Sequence, residues 1–136
     1  HDFDALPSDA IQDLLDGIAT LPDPACEVFI AHIGGAMARV AVNETAYPQR
    51  SSHFIMNVHT RWEDPAKDED CIAWARALYD RMKPYSTGSA YVNFMPEDQE
   101  RPVASAYGEN GPRLSQIKGK YDPGNFFRLN HNILPA

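Results

Sequence analysis

The chain has 136 residues, enough for one domain that buries most of its unfolded surface, and its 43% hydrophobic and 23% charged residues match a globular protein. With 12 Lys and Arg against 19 Asp and Glu, the net charge of -7 argues against nucleic acid or an anionic membrane as partner, since both are held by clustered positive charge. No apolar run of about 18 residues and no basic segment leading an apolar one are present, so neither a membrane span nor a signal peptide is expected. The compartment stays open, with a soluble, bacterial-type cytoplasmic placement ranked ahead of a secreted one.

The start, "HDFDAL", has no initiator Met and reads like a cut made inside a longer protein. Pro7, Ser8 and Asp9 then supply a cap and first turn, with Gln12 following, and Ile11, Leu14, Leu15 and Ile18 recur at helical spacing. "TLPDPA" ends that helix. "CEVFIAHI" alternates like a strand, Gly34 and Gly35 suggest a tight connection, and "AMARVAV" would be its partner strand. After a loop, "HFIMNVHTRW" predicts a strand with Ile55, Asn57, His59 and Arg61 on one face and Phe54, Met56, Val58, Thr60 and Trp62 on the other.

Asp64 followed by Pro65 marks a helix start, and Ile72, Ala75, Leu78, Tyr79 and Met82 carry the stripe to about Lys83. "AYVNF" predicts a further strand that sets Tyr91 and Asn93 on one face. A polar loop, "MPEDQERP", leads to short helices around Val103 to Tyr107 and Arg113 to Lys120, and "YDPGN" is a turn before an apolar tail. The order indicates an α+β fold: an antiparallel β-sheet with helices covering one face, and an irregular helical C-terminal tail.

The chemistry visible in the residues alone is sparse. Cys26 and Cys71 form no Cys-x-x-Cys pair and have no His at ligand spacing, so two buried thiols and no metal site are expected. His32 and His59 read as structural or surface histidines, and the Gly34, Gly35 pair is a turn, not a phosphate cradle. No nucleophile elbow is present. Taken singly, Tyr91 is a strand tyrosine with an ordinary hydroxyl partner.

Read as a set, the last residues say more. "AYVNF" and "AYGENGPRLSQIKGKYDPGNFFRLNHNILP" resemble the C-terminal segment of the berberine bridge enzyme-like FAD-linked oxidases, with its Tyr-x-Asn-Tyr, Tyr-Gly-x-Asn, Arg-Leu, Lys-x-Lys-Tyr-Asp-Pro-x-Asn-x-Phe and Asn-Gln-x-Ile-x-Pro. "HIGGAMARV", "TAYPQRSSHFIMNVHTRW" and "AWARALYDRMKPYS" resemble bacterial members, so the likeness runs in order through nearly the whole chain.

The resemblance implies FAD held mainly by a separate N-terminal domain, absent from these residues, and a small-molecule substrate set between the flavin and an antiparallel sheet. Positions 1–95 would belong to the substrate domain, and 96–136 would return to the FAD-binding domain. It implies Tyr91 as catalytic base or positioner, Asn57, His59 and Ile55 as substrate lining, and Asn93 and Asn130 as cofactor contacts. Asn57 matches a position where some plant members carry a catalytic Glu or a Gln; an amide there orients substrate but accepts no full proton. Phe94 replaces the second Tyr of Tyr-x-Asn-Tyr, and His131 replaces the Gln of the tail. Alone, the chain is expected neither to bind FAD tightly nor to turn over. The alternative is a stand-alone α+β ligand-binding or dimerisation module, its open sheet face covered by a second copy in a homo-oligomer.

Overall fold

A computed structural model describes residues 1–95 and 104–136. The expected loop "MPEDQERP" lies, beyond Met95, outside the described residues, as does Val103. The chain forms two compact units, one built from 1–33 and 52–88 and the other from 34–51 and 89–136.

The first unit holds β1 (Asp2–Phe3), α1 (Ser8–Ile18), β2 (Glu27–His32), β3 (Phe54–His59) and α2 (Asp68–Met82). Its 3-stranded sheet runs in the order β1-β3-β2, and both pairings are antiparallel. The β2–β3 register sets Val28 opposite Val58, Ile30 opposite Met56 and His32 opposite Phe54. Strand alternation therefore gathers the branched and large apolar side chains on one face. That face meets both helices: Phe3, Met56, Ala10, Leu14, Leu78 and Met82 form the core, with Val28, Ile30, Phe54, Val58 and Trp74 packed around it.

Asp64 caps the entry to α2 by accepting from the Ala66 N–H at 3.0 Å, and Pro65 opens a 3₁₀ turn, Pro65–Lys67, that runs into the helix. Asp68, Glu69 and Asp70 then occupy the first turn and Arg81 the last, each on the favourable side of the helix dipole. The stripe of α1 differs from expectation. Ala10, Leu14 and Gly17 are buried, whereas Ile11 and Leu15 are exposed. Its small residues let α2 come close: a Cβ on Gly17 would lie 2.5 Å from Leu78 Cδ1, and Trp74 Nε1 donates to the Gly17 carbonyl at 2.9 Å.

Two expected strands are corrected. "AMARVAV" contains a 3₁₀ turn, Met37–Arg39, and "AYVNF" contains another, Val92–Phe94. The sheet consists of β2, β3 and the unforeseen β1, and the β-prone composition of these two segments does not by itself make a strand.

The second unit contains those 3₁₀ turns, α3 (Ala104–Tyr107) and α4 (Gly111–Tyr121). Its small core joins Ala90, Met95 and Ala106 with Val92 and Tyr107. Side-chain amides organise the rest: Gln49 donates to the Ala106 carbonyl at 2.8 Å, and Asn110 to those of Val42 and Thr45 at 2.7 and 3.1 Å. After α4, Asp122 closes the turn by accepting from the Phe126 and Phe127 N–H groups at 2.8 and 3.0 Å and from Lys118 Nζ.

Candidate functional site

In the first unit, the sheet face away from the helices carries the pairs Glu27 opposite His59, Phe29 opposite Asn57 and Ala31 opposite Ile55. The expected face of Ile55, Asn57 and His59 therefore exists, and β2 adds Glu27 and Phe29 to it. Phe29 is 44% exposed, whereas Ile55 is buried. Asn57 Nδ2 lies 2.7 Å from His59 Nε2, and His59 Nδ1 lies 3.1 Å from Glu27 Oε1. Arg61 Nη2 reaches the same Glu27 oxygen at 3.3 Å, and the Phe29 and His59 rings lie parallel with centroids 6.5 Å apart. The hydrogen bond from His59, with Arg61 nearby, holds the Glu27 carboxyl below its ordinary range.

In the second unit, Tyr91 and Asn93 come together without a strand. Asn93 Nδ2 donates to Tyr91 Oη at 2.7 Å across the 3₁₀ turn. The Tyr91 ring is held edge-on by Phe94 at 5.0 Å and by Tyr47 at 5.8 Å, and Arg50 lies 5.0 Å from the Tyr47 ring centroid. Because Asn93 is the donor here, the hydroxyl hydrogen of Tyr91 is directed away from the Asn93 nitrogen. Phe94, the departure from the second Tyr of the motif, packs its ring against Tyr91 and has no hydroxyl to offer.

Asn130 is exposed, has φ 59° and accepts from the Asn132 N–H through its carbonyl at 2.9 Å, a backbone conformation that Asn tolerates well. His131 makes a polar contact despite replacing Gln: its Nε2 lies 3.1 Å from the Met95 carbonyl. Glu27, Phe29 and Tyr47 were not singled out in the sequence. Strand alternation in "CEVFIAHI" puts Glu27 and Phe29 on one face, but only the register with β3 shows what they oppose; nothing local marks Tyr47.

The family model described as "Berberine and berberine like" matches residues 90–134. An FAD-linked oxidoreductase of Gibberella zeae is 32% identical over 132 residues, 95% of this chain and 26% of that protein. The chain belongs to the berberine bridge enzyme-like family. A further member, the tetrahydroberberine oxidase of Berberis wilsoniae, is 32% identical over 80% of this chain and 24% of its own length. The chain thus spans about a quarter of these relatives. The berberine bridge enzyme of Eschscholzia californica shares the fold, with a TM-score of 0.89 and 23% identity over 99% of this chain and 32% of that one. The family relatives are FAD-linked oxidoreductases by name. Among the described residues no group of His, Cys, Asp and Glu could hold a metal, and no helix is long and apolar enough to cross a membrane. Amide, phenol and exposed aromatic groups suit the ring end of a flavin and an organic substrate. No G-x-G-x-x-G segment opens a helix among the described residues to receive its pyrophosphate.

Proposed function

We propose that this chain is the C-terminal portion of an FAD-linked oxidoreductase and supplies groups that hold and deprotonate a small organic substrate, an alcohol, sugar or amine. A flavin held mainly by an N-terminal domain outside these residues would supply the hydride acceptor, with oxygen as the final electron acceptor. The residues named here manage position and protons. Tyr91, acting as a phenolate after giving up its own hydrogen, takes the proton from the substrate hydroxyl or amine as the carbon loses its hydride. The amide N–H of Asn93 on Oη is the donor that supports negative charge on that oxygen. This 2.7 Å pair is the observation that carries the proposal.

Asn57 and His59 orient the substrate, with Ile55 as apolar lining. Asn93, through its amide oxygen, and Asn130 are offered to the cofactor. Segment 96–136 returns to the FAD-binding domain, a reading supported by Phe126, Phe127 and Leu129, which are 79, 76 and 86% exposed.

The test uses the complete gene product. It is expected to purify yellow, with a flavin that bleaches anaerobically on addition of at least one member of a panel of primary alcohols, sugars and benzylic amines. A complete product that is colourless and takes up no added FAD would refute the proposal and favour a flavin-free module.

A further inference from the structure

The open face of β2 and β3 carries a hydrogen-bond array whose direction is dictated by its chemistry. A carboxylate only accepts, so the 3.1 Å contact between His59 Nδ1 and Glu27 Oε1 requires the imidazole hydrogen on Nδ1. In a neutral imidazole the other nitrogen then accepts. The atom 2.7 Å from it is accordingly the amide nitrogen of Asn57 donating a hydrogen. The Asn57 amide is thereby fixed in one of its two orientations, with Oδ1 turned away from His59. In the neutral ring the reverse direction, with Nε2–H donating to Asn57 Oδ1, would set a bare Nδ1 lone pair against a carboxylate oxygen. Arg61, on that oxygen at 3.3 Å, keeps Glu27 in the acceptor role, and the Phe29 ring lies parallel to the imidazole.

We infer that Glu27 is a positioning residue that acts through His59 to lock Asn57 with its amide oxygen outward, so that this face selects a ligand presenting an O–H or N–H donor beside the exposed Phe29 ring. The inference rests on the substrate-facing role proposed for this sheet face. It deepens that role, because an amide left to turn would serve donors and acceptors alike.

The array is tested first without substrate. In the full-length flavoprotein labelled with ¹⁵N-histidine, long-range ¹H–¹⁵N correlation assigns each ring's tautomer, and His59→Gln identifies the relevant signals. The expected result is hydrogen on Nδ1 and none on Nε2, with that signature lost in Glu27→Ala. A wild-type hydrogen on Nε2, or an Nδ1–H tautomer unchanged in Glu27→Ala, would overturn the relay while leaving hydride transfer, read by flavin bleaching, untouched.

The second measurement compares benzyl alcohol with benzyl methyl ether by perturbation of the flavin spectrum. Wild type should favour the alcohol by about tenfold, roughly the worth of one hydrogen bond, and both Glu27→Ala and Asn57→Leu should reduce that preference to near unity. Equal affinities in wild type, binding of neither probe, or a preference that survives in Glu27→Ala would refute the acceptor role.

Discussion

Gly17→Ala should destabilise the helix pair beneath the sheet, against the sign that helix propensity alone gives. Propensity favours Ala inside a helix by about 1 kcal/mol. The new Cβ, however, would sit 2.5 Å from Leu78 Cδ1, and carbon atoms need about 3.5–4.0 Å. Leu78 is buried in the core, so the clearance of about 1 Å comes from an off-rotamer side chain or a helix shift, at about 1–3 kcal/mol. The net is a loss of up to about 2 kcal/mol, or more than tenfold in opening equilibrium at the upper end. In a Leu78→Ala background the obstruction is gone, and the same substitution should stabilise by about 1 kcal/mol. Hydrogen exchange of α1 and α2 amides in the complete gene product reads both arms. A Gly17→Ala change that slows exchange in the wild-type background, or that shows no sign reversal with Leu78→Ala, would refute the close-approach account.

Two further outcomes follow from side chains with perturbed ionisation. Lys118 above all, with the Phe126 and Phe127 N–H groups adding to it against partial burial, lowers the Asp122 carboxyl below its ordinary value of 3.8. A depressed folded value means the contribution is complete above 3.8 and is lost as pH falls through the lower folded value. Asp122→Asn has one acceptor oxygen where two are used, and should raise amide exchange at Phe126 and Phe127 roughly tenfold at neutral pH; no change would contradict the turn's chemistry. Burial, with Cys26 beside it, pushes the Cys71 thiol up. Native Cys71 should accordingly react with iodoacetamide orders of magnitude more slowly than in denaturant, and similar rates would show that the thiol is not enclosed.

How far the fold could be read from sequence differs by element, for physical reasons. The start of α2 was legible because Asp64 and Pro65 act locally, and β3 because an alternating strand with one covered face writes its period into the chain. The 3₁₀ turns at 37–39 and 92–94 were not legible. Strand propensity in Tyr, Val, Phe and Ala stretches is weak and context-dependent, and both segments take the tighter turn instead. On α1 the periodicity was right, but its phase was set by a partner: Ala10 and Gly17 face inward because α2 packs closely. The Tyr91 and Asn93 pairing survives the loss of its strand, since the Asn93 amide still reaches the hydroxyl of the extended residue that precedes the 3₁₀ turn. Glu27 needed the cross-strand register, which no local pattern encodes.

Anaerobic stopped-flow reduction of the flavin in full-length Tyr91→Phe, with a substrate found by the bleaching panel, tests the proton-transfer role most directly. Removing the hydroxyl should slow reduction by about 10²–10⁴ while substrate affinity, read from the saturation of the rate, changes far less. A reduction rate equal to wild type would remove Tyr91 from the chemistry.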